Sequence, residues 1–171
     1  MHSYDAIVIG AGGVGSAAMY HVAVRGAKVL GLDRFPPGHD RGSSHGRTRV
    51  IRQAYFEHPN YVPLLLRAYD LWQELSERSG RQLYHEIGLL QVGPPDGVIV
   101  PGVLASARLH GLTVDRLTAE QAMSRFPAFR IGEGWEAVFE SRAGYLEVEN
   151  CVLAHVIEAQ KLELGQSCKM C

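Results

Sequence analysis

The stretch AIVIGAGGVG at residues 6–15 decides the fold. Its first four residues are apolar and lead into glycine, which is typical of a parallel-sheet strand buried on both faces. The glycines then open a predicted helix from Val14 to Arg25, and Gly26 marks its end. Residues 28–33 predict a second strand. A strand, a helix and a strand within about thirty residues form a right-handed crossover unit, which indicates an α/β fold.

The glycines of this stretch fit the pattern G-x-G-x-x-G, which predicts a dinucleotide-binding turn when it joins a strand to a helix. Gly10 allows the tight turn, Gly12 lets the backbone approach a pyrophosphate, and Gly15 lets the helix pack closely on the strand. The free N–H groups at the helix N-terminus favour phosphates. Asp33 ends the second strand, where its carboxylate accepts hydrogen bonds from a ribose and opposes a 2′-phosphate, so NADP is disfavoured. A structural turn with a surface aspartate is the alternative interpretation.

The loop that follows favours FAD over NAD, which the turn alone does not separate because both contain an ADP half. Residues 42–52, GSSHGRTRVIR, place small flexible residues before three arginines and a threonine. An ordinary NAD domain enters another helix here, whereas this loop is suited to lie over a longer cofactor. A solvated loop or a phosphate-binding patch for nucleic acid is the alternative. No aromatic residues are interleaved with the arginines, which disfavours nucleic acid.

The rest of the chain changes from α/β to mixed α and β patterns. Thr118 and Gln121 match a capping box that opens a short helix before Pro127. The periodicities predict further helices over 60–80, 103–110 and from Glu149 or Asn150, and strands over 87–92, 112–117 and 135–140.

Composition and charge exclude several classes of protein. The 171 residues are 46% hydrophobic and 20% charged, which is typical of a soluble globular protein. A net charge of -1 gives no overall attraction to nucleic acid or to a membrane. No apolar run approaches the ~20 residues of a membrane span, and no signal peptide is recognisable. Three cysteines do not make a disulfide framework, and Cys168 and Cys171 have no second pair, so we predict a cytoplasmic protein without a metal site.

The glycine turn with Asp33 and the run at residues 42–52 resemble the N-terminal half of the monomeric sarcosine oxidase family, which includes N-methyltryptophan and pipecolate oxidases. The resemblance extends from about residue 4 to residue 155. It also rests on Ala54-Tyr55, Tyr61-Val62-Pro63, Leu71-Trp72, Gly88, Gly111-Leu112-Thr113, Gly144-Tyr145 and Glu149-Asn150-Cys151.

The resemblance implies an FAD-dependent oxidation of a secondary amine, such as an N-methyl or cyclic amino acid, to an imine, with O2 reduced to hydrogen peroxide. By matching position, Arg52 would pair with the substrate carboxylate, for which a guanidinium is suited. Arg49, Thr48 and His45 would lie close to the flavin ring, where positive charge stabilises the reduced state. A structural ion pair for Arg52 and a polar loop position for His45 are the alternatives. The predicted cofactor-binding residues are Gly10, Gly12, Gly13, Val14, Gly15, Asp33, Arg34, Ser43, Ser44 and Arg49.

The resemblance also implies the domain organisation. Residues 1–80 are expected to be the N-terminal piece of a Rossmann-type FAD-binding domain, and residues 81–144 part of a smaller α+β substrate domain. Residues 145–171 are expected to return to the FAD domain as a helix followed by an irregular tail. Members of the family attach the flavin to a cysteine and activate oxygen with a lysine, both in a C-terminal half that has no counterpart here, so we expect a truncated chain. An NAD-binding dehydrogenase and a non-catalytic nucleotide-binding remnant are the alternative functions.

Overall fold

The computed structural model describes residues 3–164, which form two compact units. Unit 1 contains the described residues up to Arg49, Trp72–Tyr84 and those from Leu146 onwards, and unit 2 contains Val50–Leu71 and His85–Tyr145. Residues 50–71 therefore fall in unit 2, although the sequence grouped them with residues 1–80; the domain boundaries themselves stay a prediction. The predicted irregular tail from residue 165, with Cys168 and Cys171, lies outside the described residues.

The elements follow one another along the chain, with a single 3-10 turn at Pro59–Tyr61 among those described. They are β1 (Ala6–Ile9), α1 (Gly13–Val24), β2 (Val29–Leu32), β3 (Thr48–Ile51), α2 (Val62–Ser79), β4 (Tyr84–Glu86), β5 (Leu89–Gly93), α3 (Ile99–His110), β6 (Asp115–Thr118), α4 (Ala119–Arg125), β7 (Glu136–Glu140), β8 (Gly144–Glu147) and α5 (Val148–Leu164).

The predicted strand–helix–strand unit is present in unit 1. Strands β1 and β2 pair in parallel, with a register from Ala6 opposite Val29 to Ile9 opposite Leu32. Helix α1 packs on α5, and the shared core contains buried apolar side chains from both helices and from β2. This core includes Met19, Tyr20, Ala23, Val29, Cys151, Ala154 and Ala159.

The prediction that β1 is buried on both faces is wrong for the part of the chain that the structure describes. Val8 packs against the core of unit 1, but Ile7 is 60% exposed and Ile9 is 86% exposed. Side chains alternate between the two faces of a strand, and only the face that carries Val8 is covered. Within residues 3–164 the sheet that contains β1 has two strands, so β1 pairs there on one edge only.

Unit 2 is built around an antiparallel sheet in the order β5-β7-β6, against which α3 packs. Its small core contains buried Ala54, Val100, Val103 and Val138. A further three-stranded sheet has the order β3-β8-β4.

Several elements of the structure differ from the prediction for local reasons. The strand predicted over 87–92 begins only at Leu89, as β5, because Gly88 has a φ of +77°, a left-handed conformation that favours glycine. The residues before Gly88 form β4, which was not predicted and belongs to a different sheet. Helix α3 begins at Ile99, ahead of the predicted 103, because Pro101 lies in the first turn, where its missing N–H costs no helical hydrogen bond. Strand β3 was not predicted, since residues 42–52 were assigned to a loop.

The capping box at Thr118 is confirmed. The Thr118 hydroxyl accepts the N–H of Gln121 at 3.2 Å, and the Gln121 side chain accepts the N–H of Thr118 at 2.9 Å. These two bonds satisfy donors that the start of α4 otherwise leaves open.

We expect Thr118→Ala to lower the free energy of unfolding by about 1 kcal/mol, because the N-cap hydrogen bond is lost. The matched control is Thr113→Ala, at an exposed threonine outside the helices and strands, which we expect to change stability by less than about 0.5 kcal/mol. Urea unfolding of both variants measures the difference. Equal losses in the two variants would contradict the capping role.

Candidate functional site

The turn after β1 needs glycine at two positions for the fold itself. Gly10 has a φ of +92°, and its N–H donates to the carbonyl oxygen of Leu32 at 2.7 Å, which ties the turn to β2. At Gly15 an added Cβ would overlap the carbonyl oxygen of Gly10. The first turn of α1 therefore lies directly against the end of β1, as the sequence predicted from the spacing.

Gly12 is different, because the fold does not require glycine there. Its φ of -73° and ψ of -162° are accessible to any residue, and an added Cβ would meet only the Ser44 hydroxyl, at 3.9 Å. The space above Gly12 opens into a cavity at the N-terminus of α1. A glycine whose missing side chain leaves open space at a helix N-terminus fits the close approach of a phosphate group.

This first cavity has a volume of about 630 Å³ and brings together most of the predicted cofactor-binding residues. Val152 of α5 lies at one side of it. Its lining includes Gly10, Gly12, Gly13, Val14, Gly15, Asp33, Arg34, Ser43 and Ser44.

Asp33 lies in the wall of the first cavity with a side chain that is 12% exposed. Its carboxylate accepts the N–H of Phe35 at 3.0 Å and the N–H of Ala11 at 2.6 Å. These two backbone donors, the Phe35 N–H first, hold the pKa of Asp33 below its usual value, and the nearby His39 acts in the same direction. Asp33 is therefore a charged acceptor that joins the glycine turn to the end of β2.

The loop after Gly42 is attached to the glycine turn and to α5. Ser44 accepts the N–H of Gly13 at 3.0 Å. Glu149 accepts the N–H groups of Gly46 at 2.8 Å and Arg47 at 3.1 Å. Although burial opposes it, these donors hold the pKa of Glu149 below its usual value. Arg47 has a φ of +66°, which is uncommon for a residue with a side chain, so the Glu149 contacts fix a strained backbone.

Arg49 lies along a second cavity of about 580 Å³, which shares Gly13, Ser43, Ser44 and Val152 with the first. Its guanidinium donates to the carbonyl oxygens of Ser43 at 2.8 Å and His45 at 3.1 Å. The two cavities adjoin, so an elongated ligand that fills the first has room to continue past Ser44 towards Arg49.

The second cavity also contains residues that the sequence analysis did not single out for the site. Trp72 and His155 line it, together with Cys151. Burial lowers the pKa of His155 to about 4, and the neighbouring His21 adds to this effect, so His155 is neutral at pH 7. These residues come from α2 and α5, and no motif in the sequence links them to the glycine turn.

Arg52 lies in unit 2. Its guanidinium donates to Glu57 at 2.8 Å and lies over the Tyr55 ring, 4.3 Å from the ring centre. Glu140 accepts the N–H groups of the next two residues, and burial raises its pKa, partly opposed by those donors and by the charge of Arg52. Neither Glu57 nor Glu140 was predicted.

The remaining predicted residues, His45 and Thr48, are exposed and line neither of the two cavities. The N–H of Thr48 donates to the carbonyl oxygen of Gly46 at 2.8 Å. Between residues 3 and 164 no group of three or more His, Cys, Asp or Glu side chains is arranged to hold a metal ion. In the same range no helix is long and apolar enough to cross a membrane.

Comparison with known proteins identifies similar sequences and structures. Residues 5–165 match the family model described as FAD dependent oxidoreductase. The chain is 47% identical to the monomeric sarcosine oxidase of Streptomyces avermitilis and 42% identical to an N-methyl-L-tryptophan oxidase of Yersinia pestis, over 90% and 87% of its length. Among solved structures, 95% of the chain superposes on NikD, an unusual amino acid oxidase essential for nikkomycin biosynthesis, with a TM-score of 0.81 and 30% identity.

The chain spans 40% of the length of each of these two relatives and 42% of the NikD chain. It therefore corresponds to a part of them, in agreement with the expectation from the sequence. The resemblance to the sarcosine oxidase family and the mixed α/β fold with an FAD-binding unit are confirmed.

We expect Asp33→Asn to lower the free energy of unfolding at neutral pH by about 1 kcal/mol, because the amide loses one acceptor atom and the charge. The folded-state pKa of Asp33 lies below 3.8, so its contribution is present above that pH and is lost as the pH falls through the folded-state pKa. The difference between the two proteins should therefore shrink below pH 3.8.

Denaturant unfolding across this pH range measures the effect. Asp40→Asn is the matched control, because Asp40 is 82% exposed and pairs only with the neighbouring Arg41 among the contacts described. A difference for Asp33→Asn that stays constant with pH would show that its charge contributes nothing.

Proposed function

Since the chain belongs to the FAD-dependent oxidoreductase family, we propose that the protein oxidises a secondary amine to an imine with reduction of O2 to hydrogen peroxide. The substrate class is an N-methyl or cyclic amino acid. The names of two relatives, a sarcosine oxidase and an N-methyl-L-tryptophan oxidase, support an N-methyl amino acid. FAD is the cofactor of the family, so the NAD-binding alternative loses its support.

The observation that carries this proposal is the open space above Gly12 in the first cavity. It adjoins the N-terminus of α1, where N–H groups and the helix dipole favour the phosphates of the cofactor. Asp33 would accept hydrogen bonds from the adenosine ribose, with Arg34 beside it in the cavity wall. Ser43 and Ser44 line both cavities and would hold the middle of the molecule.

The residues of the loop would act on the ring end of the cofactor, which accepts a hydride from the amine when it is bound. Two backbone carbonyl oxygens fix the Arg49 guanidinium, so its positive charge is in place before negative charge develops. His45 and Thr48 both precede Arg49 in the sequence and would lie near the same ring. Arg52 would bind the substrate carboxylate with its fork of donors and so orient the amine.

We also propose a cytoplasmic location, on the ground that the cysteines form no disulfide framework. The partners are a small secondary amine and O2. Neither the comparisons nor the described residues indicate a nucleic acid or membrane partner.

We expect Gly12→Ala to affect cofactor binding and Gly15→Ala to affect stability. Gly12→Ala should leave stability nearly unchanged but lower FAD affinity about tenfold or more, because the methyl group occupies the space of a phosphate. Gly15→Ala should lower the unfolding temperature, because its Cβ overlaps the Gly10 carbonyl oxygen. Flavin content after dialysis and thermal unfolding measure the two effects. Full flavin retention by a folded Gly12→Ala protein would show that the pyrophosphate does not lie against Gly12.

We expect Arg52→Lys and Arg49→Lys to change different kinetic parameters of the FAD-loaded protein. Arg52→Lys should chiefly raise KM for an N-methyl amino acid, because lysine keeps the charge and loses the bidentate fork. Arg49→Lys should lower the rate of flavin reduction. Stopped-flow absorbance and steady-state peroxide assays separate the two. Flavin binding without any amine-dependent peroxide would instead indicate a non-catalytic nucleotide-binding protein.

A further inference from the structure

The backbone that follows Arg52 is held by a buried carboxylate from a distant strand. Glu140, at the end of β7, is 2% exposed. Its two carboxylate oxygens accept the N–H of Gln53 at 2.6 Å and the N–H of Ala54 at 3.1 Å. Each oxygen thus has its own backbone donor, which fixes both the direction and the position of this short segment.

Helix α3 holds the next two residues. The Ser106 hydroxyl, which is fully buried, donates to the carbonyl oxygen of Tyr55. Gly102 lies one turn earlier on the same face of α3, where an added Cβ would overlap the carbonyl oxygen of Phe56. The backbone of Gln53 and Ala54 is therefore attached to β7, and the backbone of the next two residues lies against α3.

The Arg52 side chain depends on this attached segment. Its guanidinium lies 4.3 Å from the ring centre of Tyr55 and 5.1 Å from that of Phe56. The Arg52 side chain is only 16% exposed, and two of its bonds go to Glu57, five residues further on. The two rings that lie under the guanidinium thus belong to the segment whose backbone Glu140 and Ser106 hold.

We infer that Glu140 and Ser106 are positioning residues for the carboxylate of the substrate, acting through the segment that carries Arg52. This inference rests on the proposed function, because it takes Arg52 as the group that binds the carboxylate. Recognition by a guanidinium fork depends on its orientation, and a displacement of about 1 Å is enough to lose it. Neither residue is a catalytic residue, since each acts through the backbone of residues 53–55, to which it is hydrogen-bonded.

The test compares Glu140→Gln, Ser106→Ala and Arg52→Ala in the FAD-loaded protein. The binding of acetate, an unreactive carboxylate, is measured by calorimetry. Steady-state kinetics are then measured with N-methylglycine and with N-methylglycinamide, which lacks the carboxylate charge. Glu86→Gln is the matched control, because Glu86 lies in the same unit and forms a surface ion pair with Arg142 at 3.1 Å.

We expect Glu140→Gln to raise the Kd of acetate and the KM of N-methylglycine by about tenfold, with kcat changed by less than about twofold. Ser106→Ala should change both constants in the same direction by about threefold, and it carries the test if Glu140→Gln does not fold. Neither variant should change kcat/KM for N-methylglycinamide. The double variant of Glu140→Gln and Arg52→Ala should bind acetate no more weakly than Arg52→Ala alone.

The outcomes separate the inference from the proposed function. Unchanged acetate binding in both Glu140→Gln and Ser106→Ala, with a loss in Arg52→Ala, would overturn the inference and leave the proposed function intact. If the Arg52→Ala protein bound acetate normally, Arg52 would not be part of the proposed substrate site. Equal increases of KM for both amines would show general structural damage, and this too would overturn the inference.

Discussion

The contact between Gly15 and the carbonyl oxygen of Gly10 is the constraint on which unit 1 depends. It permits no side chain at position 15, and it brings the start of α1 against the end of β1. The tight turn that results leaves open space above Gly12, and Asp33 closes the turn from β2 by accepting the Ala11 N–H. The first cavity follows from this arrangement, because its floor is the glycine turn and one wall is Asp33. A local backbone requirement thus determines where the first cavity opens.

The two arginines of the proposed site show different solutions to one problem, which is to hold a long cationic side chain still. Arg49 is fixed by two carbonyl oxygens of its own loop, which is in turn attached to α5 through Glu149. Arg52 lies on the Tyr55 ring and pairs with Glu57. A fixed guanidinium loses less conformational freedom when an anion binds, so both arrangements favour recognition of negative charge.

Much of unit 1 was predictable because its signals are local. The turn, α1, β2 and the position of Asp33 follow from glycine spacing and short apolar runs, and the Thr118 capping box involves residues three apart. The contacts of Glu149 and Glu140 join residues 103 and 87 positions apart, and no periodicity marks them. The exposure of Ile9 was not predicted from the sequence. An apolar run indicates a buried strand, but it does not show which elements cover that strand. Roles at the site were suggested by family resemblance, whereas the residues that hold the site in shape emerged from the fold.

The bond between the Ser44 hydroxyl and the Gly13 N–H has a consequence for the binding of a phosphate. A phosphate that took the Gly13 donor would have to displace Ser44, so its binding at the start of α1 would be an exchange of acceptors in which no bond is gained at this donor. Ser44 thus acts as an internal competitor for this donor, and it keeps the Gly13 N–H satisfied when no ligand takes it.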